Sequence, residues 1–285
     1  MINILKQLII SFFIFLILLF LADYFIGKKM NKLYNGWNHK GYRGEIKTNK
    51  IDNQRRIVFL GSSALMGWGL KYYESIPYLF EKKIKKFNFD VVNLALQGNG
   101  INGVKSDVKK YQYLNYDIAV ISSGYTDCNL LNEYKNSKRG QSILFKYFNY
   151  LPSIDDYIID KFESITDINL RLLNAKDNKS CFDKKIKNKK IDFEKFEAKL
   201  DKYYINEFKK TLNFLVSEDV EIFVIIQPDN KNSLFNFQKQ KLRKLLNEFN
   251  YEYLHIIDLS NLSLDDSYYL FNKKVHLNVK GSKLY

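Results

Sequence analysis

Cysteine and histidine are scarce in this chain of 285 residues, and their scarcity argues against several kinds of site. The two cysteines, Cys128 and Cys181, cannot form a four-thiolate zinc site or a disulfide framework, although they allow one bridge. Three histidines argue against a histidine-rich metal centre. We therefore expect neither a metal nor a cofactor. What the chain does have is a hydrophobic fraction of 46%, enough to build one full-sized core.

The most apolar stretch lies near the N-terminus. It runs from Gln7 to Gly27, with Gln7, Ser11 and Asp23 as its polar exceptions. About twenty helical residues at roughly 1.5 Å each reach across the roughly 30 Å of a bilayer core. No A-x-A-like cleavage site follows, so we predict an uncleaved single-pass membrane anchor at residues 1–27. A cleaved signal peptide and a buried core helix are the alternatives.

Half of the net charge of +14 follows this stretch directly. From Gly27 to Arg56 there are nine Lys or Arg and two acids, a net charge of +7. Such a patch can indicate nucleic-acid binding, but its position favours a basic juxtamembrane linker at residues 28–55, and we expect no nucleic-acid partner. The positive-inside rule would place the rest of the chain in the cytoplasm, although the linker could equally lie against anionic headgroups. We expect an extracytoplasmic domain, against the flanking charges.

Residues 56–285 alternate short apolar strands with amphipathic helices. This alternation predicts an α/β domain, a flavodoxin-like three-layer α/β/α fold with a five-stranded parallel sheet. One connection is too long for a simple crossover, so we predict an insertion at about residues 130–194, with a helix opening at Ser153 and a lysine run from Lys184 to Lys190. A solvated surface segment is the favoured interpretation, and a lid or a membrane-facing cap is the functional alternative.

Polar residues follow the strands at the edge of the sheet where such folds bind ligands. Ser63 comes after the first strand, Gly98 after the second, Thr126 after the third and His276 after the last. A serine hydroxyl needs a base to take its proton, and imidazole suits that role near neutral pH. We predict Ser63 as nucleophile and His276 as base. The backbone amides of Ser63 and Gly98 and the Thr126 hydroxyl would form the oxyanion hole.

These blocks resemble, in the same order, those of the SGNH or GDSL hydrolases. The resemblance extends from about Gly41 to Tyr285, and it includes Gly61–Gly67, Gly98, Gly124–Asp127 and His276, after a lead-in at Gly41–Gly44 that looks like that of membrane-anchored bacterial members. It implies an esterase or O-acyltransferase that forms an acyl-enzyme. The implied substrates are O-acylated glycans, lipids or other small esters, and the bilayer would be contacted through residues 7–27.

The sequence departs from the pattern of this family at three positions. Ser62 replaces the Asp of the first block, Thr126 replaces the Asn of the third, and Lys273 replaces the Asp that orients the histidine. Asn272, Asp265 or Asp266 could orient His276 instead, or the site could work as a Ser-His dyad. A catalytically impaired binding or scaffold protein with the same fold is the alternative function.

A motif of another class is also present. Gly98–Gly103 fits G-x-G-x-x-G between a strand and a helix, as in dinucleotide-binding proteins. The acid expected about twenty residues later would be Asp117, but Asp117 begins a strand, whereas the ribose-binding acid belongs at a strand's C-terminal end. Dinucleotide binding is therefore the lesser alternative. Asp127 is expected to bond turn amides, and Cys128 to be a small buried hydrophobe.

Overall fold

A computed structural model describes residues 2–30, 36–47, 50–123, 127, 138–166, 193–228, 233–262, 264–270 and 276–284. Within these ranges five parallel strands form one sheet: β1 (Arg55–Gly61), β2 (Phe89–Asn93), β3 (Ile118–Ser122), β4 (Glu221–Ile226) and β5 (Leu254–Asp258). Their order is β2-β1-β3-β4-β5. This is the flavodoxin-like order, and it confirms the predicted α/β fold.

Helices precede the sheet and cover both of its faces. In chain order they are α1 (Ile2–Met30), α2 (Ser63–Met66), α3 (Ile76–Ile84), α4 (Ile101–Lys110), α5 (Lys138–Gln141), α6 (Ile143–Phe148), α7 (Ile154–Thr166), α8 (Phe193–Leu200), α9 (Asn206–Ser217), α10 (Ser233–Glu248) and α11 (Val279–Leu284), with a π-helical turn at Asp201–Ile205 between α8 and α9.

The continuous apolar sequence of β1 follows from its position inside the sheet. Successive side chains of a strand point to opposite faces. Val58 and Leu60 pack into the core cluster that includes α4, α9 and α10, whereas Ile57 and Phe59 pack into the cluster that includes α2 and α3. Because helices cover both faces, every residue of β1 from Arg56 onward is buried.

Helix α1 contains a segment, Ile4–Ile26, that is long and apolar enough to cross a membrane. Its side chains from Ile4 to Ala22 are exposed. An apolar surface of this length is costly in water and favourable in hydrocarbon. The helix is therefore a candidate transmembrane segment, as predicted.

Part of the predicted linker belongs to the folded domain. Trp37, Tyr42 and Arg43 are buried, although the sequence analysis placed them among residues of a juxtamembrane segment. Arg56 is also buried, and its Nε donates a 2.7 Å hydrogen bond to Asp90. An arginine can be buried where its donors are satisfied, so these two charges do not face lipid headgroups.

The predicted insertion contains α5, α6 and α7. The helix predicted to open at Ser153 is α7, which begins at Ile154. The lysine run from Lys184 to Lys190 lies outside the described residues, and so do both cysteines.

Candidate active site

Ser63 lies directly beyond the C-terminal end of β1. The strand ends at Gly61, where a Cβ atom would lie 2.0 Å from the carbonyl oxygen of Ser122 on the neighbouring strand. Only glycine fits that contact, because the obstacle is backbone. Helix α2 then starts at Ser63 and ends at Met66, and Gly67 caps it with a left-handed φ of 80°. This short strand-turn-helix places the Ser63 hydroxyl at the edge of the sheet where α/β folds bind ligands.

His276 lies at the same edge, where backbone contacts of Tyr269, Leu270 and Leu277 hold the chain. The backbone N–H of Leu270 donates a 2.8 Å hydrogen bond to the His276 carbonyl, and Tyr269 forms an antiparallel bridge with the buried Leu277. The Nε2 atom of His276 lies 2.8 Å from the Oγ atom of Ser63. The structure thus brings together two side chains 213 positions apart, at a distance where imidazole can take the hydroxyl proton.

Trp68 packs against the imidazole ring. The ring centroids of Trp68 and His276 are 4.6 Å apart, with an angle of 41° between the planes. Trp68 is buried, and its backbone N–H donates a 2.9 Å hydrogen bond to the Ser63 carbonyl. The indole therefore restricts the His276 ring and is tied through its own backbone to the serine.

The turn that carries Trp68 is held by Arg43. The guanidinium of Arg43 donates to the carbonyls of Met66 at 2.6 Å, Gly67 at 3.0 Å and Leu70 at 3.0 Å. Arg43, which lies in the predicted linker, therefore stabilises the turn next to Ser63 and His276. The sequence alone predicts no role for Arg43 or Trp68. The signals available were the glycines that flank each of them.

The chain after β2 stays beside β1 as far as the site. The backbone N–H of Leu96 donates a 3.0 Å hydrogen bond to the carbonyl of Gly61, and Gly98 turns with a φ of 73°. Within the part of the chain that the structure describes, the backbone amides of Ser63 and Gly98 donate no hydrogen bond. These two N–H groups are the backbone oxyanion donors that the sequence predicts.

The buried side chain of Asn99 holds the turn at Gly98 in place. It is fully buried, and its Nδ2 donates a 2.9 Å hydrogen bond to Asp107. Asp107 in turn pairs with the buried Arg139 at 2.6 Å. Asp127 accepts a 2.6 Å hydrogen bond from the backbone N–H of Ile101, the first residue of α4. Asp127 therefore has a structural role, as expected, but the amide it bonds is the first one of a helix rather than one in a turn.

The last glycine of the G-x-G-x-x-G motif has a packing role. A Cβ atom at Gly103 would lie 1.6 Å from Oδ1 of Asn99, so Gly103 makes room for the side chain that fixes the turn. Asp117 accepts hydrogen bonds from the backbone N–H of Arg56 at 2.6 Å and from Lys50 at 2.7 Å, at the edge of the sheet where β1 and β3 begin. The dinucleotide interpretation is wrong for Asp117, because a ribose-binding acid must lie at the opposite edge.

Replacing Gly103 with Ala should slow the reaction of Ser63, the predicted nucleophile. Asn99 cannot move aside without breaking its buried bond to Asp107, so the added methyl group should displace the Gly98 turn. We expect the labelling rate of Ser63 by a fluorophosphonate to fall by about 10²-fold, as on losing one oxyanion donor. Ser106→Ala, on the same helix, is the control. Unchanged labelling of Gly103→Ala would show that Asn99 does not set the turn.

The remaining predicted residues are placed as follows. Thr126 and Asn272 lie outside the described residues, as does Lys273. Asp265 and Asp266 are exposed, and Asp265 accepts a 2.7 Å hydrogen bond from the backbone N–H of Ser267. The catalytic roles of Ser63 and His276, the three oxyanion donors and the group that orients His276 therefore all stay predictions. Among the described residues, no group of three or more His, Cys, Asp or Glu could hold a metal ion.

No family model matches this sequence, and no curated protein matches it. Among solved structures, the chain is similar to a lipolytic protein of the G-D-S-L family from Desulfitobacterium hafniense, with 11% identity over 81% of this chain and 95% of that chain and a TM-score of 0.47. The esterase EstA from Pseudoalteromonas sp. is 10% identical over 81% of this chain and 92% of that chain, with a TM-score of 0.47. A family 3 carbohydrate esterase from Clostridium thermocellum is 12% identical over 81% of this chain and 90% of that chain, with a TM-score of 0.46. At these identities, the reaction has to be argued from the site itself.

Proposed function

We propose that this chain is a membrane-anchored serine hydrolase or O-acyltransferase of the SGNH type, which forms an acyl-enzyme on Ser63. The observation that carries the proposal is the 2.8 Å distance between Nε2 of His276 and Oγ of Ser63 at the C-terminal edge of the sheet. The family blocks in the sequence support it. Helix α1 supplies the anchor, and O-acylated glycans, lipids or other small esters are the proposed substrates.

The reaction follows from the roles of these groups. Oγ of Ser63 attacks the acyl carbon while Nε2 of His276 takes the hydroxyl proton. The oxyanion that forms is stabilised by the amides of Ser63 and Gly98, with the Thr126 hydroxyl as a third donor. The intermediate collapses, and the alcohol leaves with the proton from His276. Water or another hydroxyl then attacks the acyl-enzyme, and His276 takes the proton of this second nucleophile. The second intermediate collapses with cleavage of the bond between the acyl carbon and Oγ of Ser63, and His276 returns the proton to Oγ.

Hydrolysis and transfer differ only in this second nucleophile. Water gives an acid product, whereas the hydroxyl of a glycan or lipid gives a new ester. Both outcomes release Ser63 unchanged, so the same two side chains serve either reaction.

Labelling with a fluorophosphonate tests the proposal. The wild-type chain should be labelled covalently at Ser63, and Ser63→Ala should abolish the label. Ser62→Ala is the matched control, because Ser62 is the neighbouring buried serine and its side chain makes no capping hydrogen bond to α2. Labelling that survives Ser63→Ala would refute the nucleophile assignment. A folded wild-type chain that takes no label would favour a binding or scaffold protein.

A further inference from the structure

The C-terminal part of helix α1 is docked onto the domain by Asp23. This carboxylate is 5% exposed and accepts hydrogen bonds from the backbone N–H groups of Ser153 at 2.8 Å and Ile154 at 2.7 Å. It also accepts one from the Tyr150 hydroxyl. The first amides of a helix have no partner inside the helix, so Asp23 caps α7. Asp23 is polar within an otherwise apolar run because it caps α7, a helix of the predicted insertion.

Aromatic rings surround this contact. The ring of Tyr150 packs against Phe20 at 4.6 Å and against His39 at 5.7 Å, and Tyr24 lies 5.4 Å from His39. The backbone N–H of Leu151 donates a 2.8 Å hydrogen bond to the His39 carbonyl. Helix α1 is therefore fixed to the segment between α6 and α7.

The position of Asp23 sets the level of this contact along the candidate span. The span ends at Ile26, three residues after Asp23, which is about 4.5 Å along a helix axis. Tyr150 and the start of α7 therefore lie at the level of the last turn of the span. Aromatic residues with a polar atom, such as Tyr24 and Tyr150, are enriched at this level, where the headgroups begin.

Helices α6 and α7, on either side of this contact, carry large apolar side chains that the protein leaves exposed. On α7, Ile158 and Ile165 are seven residues apart and so lie on the same side of the helix. The apolar patch, as we define it, comprises Ile143 (72% exposed), Tyr147 (67%), Phe148 (73%), Ile158 (61%) and Ile165 (80%).

Helix α6 also has a well-packed inner side. Phe145 is 1% exposed, and its carbonyl accepts a 2.8 Å hydrogen bond from Lys110. A Cβ atom at Gly41 would lie 2.6 Å from the Phe145 ring, which shows how closely that ring fits the domain. The helix thus packs one side on the protein and presents apolar residues on another.

We propose that the apolar patch inserts into the headgroup region of the same bilayer that α1 spans. The proposal rests on the proposed membrane anchoring. The patch lies in the two helices joined by the segment that Asp23 holds at the end of the span, and an exposed apolar surface there is stabilised by contact with acyl chains. The exposed Lys146 can contact lipid phosphates. Such a contact fixes the orientation of the domain on the membrane, which a span alone would not.

Spin labels on the full chain test this proposal. In a background with Cys128 and Cys181 replaced by Ser, Phe148→Cys and Ile165→Cys are labelled with a nitroxide. The chain is reconstituted into vesicles of phosphatidylethanolamine and phosphatidylglycerol. The matched control is Ile257→Cys, which replaces a 39% exposed residue on β5, the edge strand opposite β2. Circular dichroism checks that each variant is folded.

We expect the labels at 148 and 165 to be at least threefold more accessible to oxygen, relative to a water-soluble nickel relaxant, than the label at 257. Equal, water-like accessibility at all three positions would overturn the proposal. Dipolar broadening between labels that stay accessible to water would mean that the patch contacts a second copy, and would also overturn it. Resistance to carbonate extraction and fluorophosphonate labelling report separately on anchoring and catalysis, so each failure can be recognised.

Discussion

Replacing His276 with Gln should lower the rate of ester hydrolysis at neutral pH by a factor on the order of 10⁴ or more. Glutamine keeps a polar side chain near Ser63 but cannot take up and return a proton. Of the groups in the site, only imidazole lies within hydrogen-bond distance of the Ser63 hydroxyl, among the contacts between described residues. The measurement is steady-state hydrolysis of p-nitrophenyl acetate by the full chain in detergent.

The pH profile distinguishes a base from a residue that only supports the fold. The wild-type rate should fall as the pH is lowered, because an imidazole that already carries a proton cannot accept another. The residual rate of His276→Gln should lose this dependence. His255→Gln is the control, since His255 lies on β5, is 43% exposed and is 3.2 Å from Glu221. A His276→Gln rate within tenfold of the wild type would refute the base assignment.

Replacing Arg139 with Leu should destabilise the fold by about 3–5 kcal/mol. The ion pair between Arg139 and Asp107 is fully buried, with atoms 2.6 Å apart. Arg139 also donates to the carbonyl of Gly41 at 2.7 Å and to that of Leu94. Without the guanidinium, the Asp107 carboxyl is left buried without its cationic partner. Denaturant unfolding of the full chain in detergent measures the loss.

The destabilisation should depend on pH in a defined direction. Burial raises the pKa of Asp107, against the lowering effect of the Arg139 guanidinium and the Asn99 hydrogen bond. Loss of Arg139 removes the largest opposing effect, so the carboxyl should favour its protonated form in the folded state even more. The unfolded state ionises at the ordinary pKa, so the destabilisation of Arg139→Leu should be largest above that pKa and should shrink as the pH falls towards it.

A double variant separates the buried charge from simple loss of packing. Asp107→Leu combined with Arg139→Leu removes both charges, and we expect it to unfold closer to the wild type than Arg139→Leu alone. If the double variant were the less stable of the two, the hydrogen bonds of Arg139 to the backbone would outweigh the ion pair.

Local sequence patterns determined the secondary structure and the fold class. The strands are apolar because both faces of a parallel sheet are covered, and this pattern is readable without knowing what covers them. The same holds for the helical spacing in α4, α9 and α10, and for the apolar length of α1. The strand ends placed Ser63 at the ligand-binding edge, since the C-terminal ends of parallel strands share one edge.

The roles of single charged residues were decided only by the tertiary structure. In the sequence, Arg43 is one of nine basic residues after the apolar run, and Asp23 is an exception within it. In the fold, Arg43 binds three carbonyls beneath Trp68, and Asp23 caps α7. The sequence shows that a charged side chain is present. The backbone group that it binds can lie about 130 residues away, so no local sequence pattern reveals the contact.

The sequence by itself determined where the strands end and which polar residues follow them, because periodicity and turn chemistry act over a few residues. The tertiary structure decided that Ser63 and His276 are 2.8 Å apart, that Trp68 packs on the imidazole, and that the insertion is attached to α1. These contacts join segments far apart in the chain. They form only when the sheet and its covering helices pack together and fix the loops between them, which no local sequence pattern specifies.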